Sequence, residues 1–184
     1  LSPDSTLQIS GALIQGNRSL GGSSTGGGGV HIVTSTASSA GQIEIEGSTI
    51  SGNSSFAGGG LFQGGGTLNL SDVVVSQNQT TSPGVGGGAG LYLTGSTSTL
   101  LRLLVADNEG TGSQFLGGGL YATQQELTLS QSTFSGNAAR TGGGIYLSGT
   151  SNYSLSHLEL LDNTAVEGGG LATTGSATVN FDQM

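Results

Sequence analysis

Phe134-Ser135-Gly136-Asn137, followed after four residues by Gly142-Gly143-Gly144-Ile145-Tyr146-Leu147, is the stretch that decides the fold. An apolar residue stands three before an asparagine, and a glycine triplet then runs into an aliphatic residue. Working outward, the first half recurs at Ile14…Asn17, Ile50…Asn53, Val75…Asn78, Val105…Asn108 and Leu160…Asn163. The second half recurs at Gly27-Gly28-Gly29-Val30, Gly58-Gly59-Gly60-Leu61, Gly117-Gly118-Gly119-Leu120 and Gly168-Gly169-Gly170-Leu171. A further copy reads as Gly86-Gly87-Gly88 with Ala89-Gly90 inserted before Leu91. Seven and five residues upstream of each apolar position lies an alternating pair: Leu7/Ile9, Ile43/Ile45, Leu68/Leu70, Ser98/Leu100, Leu127/Leu129 and Tyr153/Leu155. Only Ser98 breaks the apolar rule.

Alternation at period two predicts short strands, and no stretch carries a helical period of useful length. One unit of roughly 25–31 residues buries little alone, so units must stack. Equivalent strands then lie parallel, about 4.8 Å apart, and about six coils make a rod roughly 29 Å long. The reading is an all-β parallel β-helix. It runs as a single segment over 1–184, with repeats near 5–36, 41–65, 66–95, 96–124, 125–149 and 150–175 and a further coil starting over 176–184. Triplet starts fall 31, 28, 31, 25 and 26 residues apart. That variation sits mainly between asparagine and triplet, as fixed strands with elastic loops require. Glycine supplies corner angles forbidden to side chains. Stacked asparagines at Asn17, Asn53, Asn78, Asn108, Asn137 and Asn163 are expected to bond coil to coil, with a loss of about 1–3 kcal/mol when one is removed.

Composition narrows the function. The 184 residues hold 37 glycines, no cysteine and no lysine, and carry a net charge of −8 with only Arg18, Arg102 and Arg140 as cations. Nucleic acid needs a basic stripe, and anionic lipid would repel the chain. No disulfide framework or thiolate metal site is possible, no cofactor is implied, and no apolar run is long enough to span a membrane as a helix. The opening Leu1-Ser2-Pro3-Asp4 lacks the features of a secretory leader. The chain starts just before one repeat strand and stops inside another, so it reads as part of a longer protein.

The Phe134-Ser135-Gly136-Asn137 and Gly142-Gly143-Gly144-Ile145 pair resembles the FxxN and GGAI motifs of polymorphic outer-membrane protein repeats, found in autotransporter-like surface proteins. The resemblance covers nearly the whole chain, six times over. It departs in that the phenylalanine is usually aliphatic here and the alanine is glycine. It implies a right-handed, pectate-lyase-like β-helix at a bacterial cell surface or outside the cell. The functional expectation is a non-catalytic structural or adhesive solenoid: an adhesin stalk, passenger segment or fibre subunit. Its expected partners are glycans, host or neighbouring surface proteins, or sister subunits. The alternatives are a polysaccharide-acting β-helix enzyme and a phage tailspike.

Enzymes of that kind need paired carboxylates within roughly 5–9.5 Å. Glu44 and Glu46 alternate with Ile43 and Ile45 and read as a solvated face, with a weak calcium site as the rival. Asp107 and Asp162 share the position before the asparagine, two coils apart, and read as turn formers. Asp72 and Arg102 share a position on adjacent coils and read as an exposed ion pair. His31 and His157 lie in different repeat positions, are assigned no role in metal binding or nucleophilic catalysis, and read as solvent-facing. The glycine triplets lack the helix and lysine of a phosphate loop. Sequons at Asn17, Asn53, Asn78, Asn69 and Asn152 read as chance, the first three as buried turn residues. The remaining recurrence is aromatic: Phe62, Tyr92, Tyr121 and Tyr146, flanked by His31 and Ala172, follow the triplet's aliphatic residue. Alternation puts this column outside the core. It reads either as cross-strand stabilisation of the wall or as a contact strip for sugar rings or protein.

Overall fold

The computed structural model describes residues 5–21, 26–34, 41–81, 85–95, 97–123 and 126–182. Three walls build each coil. The first wall stacks Thr6–Ser10, Gln42–Glu46, Thr67–Ser71, Thr97–Leu101, Glu126–Ser135, Asn152–Leu161 and Thr178–Asp182 in that order. The second stacks Leu13–Gln15, Thr49–Ser51, Val74–Ser76 and Leu104–Ala106, then the far halves of the two ten-residue strands Glu126–Ser135 and Asn152–Leu161. The third stacks Val30–Val33, Leu61–Gly64, Leu91–Leu93, Leu120–Ala122, Ile145–Gly149 and Leu171–Gly175. Its six strands count six coils, and the first wall adds the start of a seventh. All these pairings are parallel, and the described residues include no helix. No helix among them is long and apolar enough to cross a membrane. The expected boundaries at residues 36, 96, 124 and 125, and the chain end at 183–184, lie outside the described residues.

Register puts each wall's apolar residues in columns. Ile9, Ile45, Leu70, Leu100, Leu129 and Leu155 align along the first wall, Ile14, Ile50, Val75, Val105, Phe134 and Leu160 along the second, and Val30, Leu61, Leu91, Leu120, Ile145 and Leu171 along the third. These columns meet in one continuous core. The polar exception, Ser98, has a partner there. Gln63 enters from the third wall, fully buried, and Ser98 Oγ donates to its Oε1 at 3.1 Å. The amide Nε2 of Gln63 closes the corner on the carbonyls of Gly65 and Gly66. Tyr153, also fully buried, donates its hydroxyl to Ser148 O at 2.6 Å.

Two left-handed corners flank the second wall. One column is Gly11, Gly47, Asp72, Arg102, Gln131 and His157; the other is Gly16, Gly52, Gln77, Asp107, Gly136 and Asp162, all with positive φ. Asp107 and Asp162 are therefore turn residues, as their place before asparagine indicates. The third-copy glycines need correction. Gly90 N donates to Gly118 O and Leu91 pairs with Leu120, so the triplet there is Gly88-Ala89-Gly90 with no insertion. Gly88 has φ +60°, matching Gly58, Gly117, Gly142 and Gly168 at +62° to +69°. Gly86 and Gly87 belong instead to a short strand, Val85–Gly87, paired with Gln114–Leu116.

Candidate functional site

The two motifs of the repeat are halves of one contact. Asn53 Nδ2 donates to Asn78 Oδ1 at 3.1 Å, Asn78 Nδ2 to Asn108 Oδ1 at 3.0 Å, and Asn108 Nδ2 to Asn137 Oδ1 at 2.9 Å. Asn17 starts the ladder on Asn53, and Asn163 receives it from Asn137. Each of these oxygens also accepts a backbone N–H from the preceding coil's asparagine, as Asn78 N shows on Asn108 Oδ1 at 3.0 Å. The second amide hydrogen goes to the apolar residue's carbonyl one coil back, as from Asn108 Nδ2 to Val75 O at 2.9 Å. An interior asparagine thus makes every hydrogen bond its amide allows. The triplet's third glycine makes room for it: a Cβ on Gly60 would stand 2.9 Å from Asn78 Nδ2, and one on Gly90 3.1 Å from the Asn108 amide. Asn53, Asn78, Asn108 and Asn137 are fully buried. Asn163 is half-buried, whereas Asn17, at the first coil, is exposed, against the expectation for its sequon.

The aromatic column forms an unbroken stack outside the main core. Ring centroids lie 5.1 Å apart for His31–Phe62, 5.2 Å for Phe62–Tyr92, 4.8 Å for Tyr92–Tyr121 and 5.5 Å for Tyr121–Tyr146. It is not the open surface strip that alternation suggests. Phe62 is only 4% exposed and Tyr146 only 8%. Backbone covers the rings: a Cβ on Gly64 would meet Phe62 Cε1 at 3.0 Å, and one on Gly87 would meet Tyr121 Cδ1 at 2.5 Å. The strand Val85–Gly87, outside the third wall, therefore lies on the Tyr121 ring, whereas Gly64 follows Phe62 on its own strand, and glycine lets both approach. Tyr92 and Tyr121 stay half-buried. Burial raises the Tyr92 phenol above its ordinary value and pushes Tyr121 up to about 12, with Tyr92, Tyr146 and Tyr153 adding to the latter. His31 is exposed, and its Nδ1 accepts the Gly27 N–H at 3.0 Å.

Asp72 and Arg102 stand on adjacent coils in one left-handed corner column. Arg102 grips Asp72 through two hydrogen bonds, Nε to Oδ1 and Nη2 to Oδ2, both 2.6 Å. That pair is exposed, as its repeat position implies. The guanidinium holds the Asp72 carboxyl below the usual carboxylate range, the reverse of what a general acid needs. Glu46 adds its charge near Arg102. Glu44 points outward and accepts from Gln8 Nε2 at 2.7 Å. Among the described residues, no three of His, Asp and Glu come together as metal ligands would. His157 occupies a left-handed corner, exposed.

A family model described as the right-handed β-helix region matches residues 2–183. The chain belongs to the right-handed β-helix family. No curated protein and no solved structure matches it. The coils of this β-helix therefore wind right-handed, as the FxxN and GGAI resemblance implies. Two features of the β-helix escaped the sequence reading. Gln63 sits in the column of Ile32, Leu93, Ala122 and Leu147, but its partner Ser98 lies 35 residues away and only the register joins them. The covering strand over the rings was hidden by a glycine run, Gly86-Gly87-Gly88, in which two glycines belong to the cover and one to the corner.

Proposed function

We propose that the chain is a non-catalytic structural segment of an extracellular or cell-surface protein, a stalk, passenger or fibre rod. One observation carries this: each residue class that recurs in the repeat is spent between coils. The asparagines bond to asparagines, the third glycines admit those amides, and the rings stack on rings. A repeat selected to hold a substrate would spend recurrent residues outward instead. The likeness to polymorphic outer-membrane protein repeats supports a surface location. On this reading Tyr92 and Tyr121, the two ring positions with partial access between buried Phe62 and Tyr146, carry lateral contacts with glycans, neighbouring surface proteins or sister subunits.

The second reading, an enzyme acting on polysaccharide, draws on the Glu46–Asp72–Arg102 corner alone. The test is depolymerisation of a panel of neutral and acidic polysaccharides, read as new reducing ends. No product is expected. Turnover that disappears in Asp72→Asn or Glu46→Gln would overturn the proposal.

A further inference from the structure

The second wall turns two columns of side chains outward. One runs Leu13, Thr49, Val74, Leu104 and Thr133; the other runs Gln15, Ser51, Ser76, Ala106 and Ser135. The first column is bulky and uncharged, and the second is small from the second coil to the fifth. Glu159, in the sixth coil, is the one charge in either column, and Thr133 Oγ1 donates to it at 3.1 Å. The first wall, by contrast, turns Glu44, Glu46 and Glu126 outward. Among the described residues seven large apolar side chains are exposed, and three of them, Leu13, Leu104 and Leu161, stand on the second wall. A left-handed corner bounds each side of this face, with Arg102 on one side and Asp107 on the other in the fourth coil.

We propose that two copies of the chain pack side by side through this face, rods parallel and coils in register, about a two-fold axis running along the rods. That axis lays each bulky column on the partner's small column. Leu104 meets the partner's Ala106, Val74 the partner's Ser76, and Thr49 the partner's Ser51, so the two sheets interdigitate. The same axis sets each left-handed corner against the partner's opposite corner, which brings Arg102 to the partner's Asp107 twice over. Arg102 holds Asp72 through Nε and Nη2, which leaves Nη1 for the crossing pair. A second copy suits the face better than an unrelated protein, because an identical rod shares the coil pitch and keeps the match from coil to coil. Copies that each carry −8 repel one another, and least across a wall nearly free of charge. Six coils about 4.8 Å apart, and five residues of strand and corner about 3.3 Å each, cover about 460 Å² per copy. Both copies together bury about 900 Å², below the standard interface, so the dimer is weak and depends on concentration.

This face lies on a different wall from Tyr92 and Tyr121, and the pairing does not rest on their contacts. The experiment is sedimentation velocity on the chain from about 10 μM to about 1 mM, where the average mass should climb toward that of a dimer. Leu104→Glu sets a charge on the partner's Ala106 and touches no core position. It should weaken association by about tenfold or more while the circular-dichroism melt stays that of the parent. Ala106→Glu, on the opposing column, is the second variant with the same expectation, and Thr99→Glu on the outer face of the first wall should change nothing. The chain has no cysteine, so a pair can be placed cleanly. Under mild oxidation, Leu104→Cys copies mixed with Ala106→Cys copies should yield a mixed disulfide dimer, and Leu104→Cys alone should yield little. A monomer throughout, which would leave the face to another partner, would overturn the proposal. So would a dimer indifferent to both glutamates, or a link between Leu104→Cys and Thr49→Cys, the product of rods running in opposite directions. Those failures leave the depolymerisation test, and the reading it judges, untouched.

Discussion

Replacing Asn108 with Ala tests the ladder where it is most buried. The change removes four hydrogen bonds: Nδ2 to Val75 O, Nδ2 to Asn137 Oδ1, and the two that Oδ1 accepts from Asn78 N and Asn78 Nδ2. Asn137 Oδ1 keeps a donor, because the Asn108 backbone N–H still reaches it at 3.0 Å. Two buried groups lose their partner, the Asn78 N–H and one Asn78 amide hydrogen, while the Val75 carbonyl stays within the parallel ladder with Leu104–Ala106. At about 1–3 kcal/mol for each stranded group, the ceiling is about 6 kcal/mol. A water entering the vacated space would recover part, so the expected loss is about 2–4 kcal/mol. For a chain of this size, that lowers the melting temperature by about 4–16 °C. The internal control is Asn17→Ala. Asn17 is exposed and loses only its bond to Asn53 Oδ1, which still receives the Asn17 N–H, so its cost should stay under about 1 kcal/mol. Denaturant and thermal melts followed by circular dichroism give both numbers. Equal, small effects at the two positions would refute the buried ladder.

Gly60→Ala should destabilise strongly, because its Cβ would lie 2.6 Å from Gly90 O and 2.9 Å from Asn78 Nδ2; a melt unchanged from the parent would contradict the glycine–asparagine contact. Gln131 holds φ 51° in a column where Gly11 and Gly47 also stand, so Gln131→Gly should keep or raise stability while β-branched Gln131→Val lowers it by about 1 kcal/mol or more, both read by denaturant melts. The Tyr121 phenol titrates near 12 when folded and near 10 when unfolded. The unfolded chain therefore loses this proton first, and stability present below pH 10 should drain as pH rises from 10 to 12. Melting curves across that range should show the fall, and Tyr121→Phe should flatten it.

Much of the fold was legible because the repeat exposes its own register. Apolar-x-x-Asn and the paired Leu-x-Leu positions fall in the columns that alternation assigns them, and Asp107 and Asp162 take the corner their place before asparagine implies. Two kinds of information were not legible. Alternation tells which face a side chain leaves by, yet not what lies over that face. Phe62 and Tyr146 leave the core and are buried all the same, and the strand Val85–Gly87 returns across Tyr121 between them. A glycine run carries no side-chain pattern to register, so Gly86 to Gly90 could be aligned only by pairing. The candidate site suffered most from the first effect. The ring column was found from sequence, but its burial was not.

The central claim is that the recurrent residues bind coil to coil, and hydrogen exchange of asparagine side-chain amides tests it most directly. Asn53, Asn78, Asn108 and Asn137 should exchange slowly, with protection approaching that of the surrounding strands. The exposed amides of Asn152 and Asn180, on the outer face of the first wall, should exchange freely. Exchange of Asn78 and Asn108 as fast as that of Asn152 and Asn180 would contradict the account.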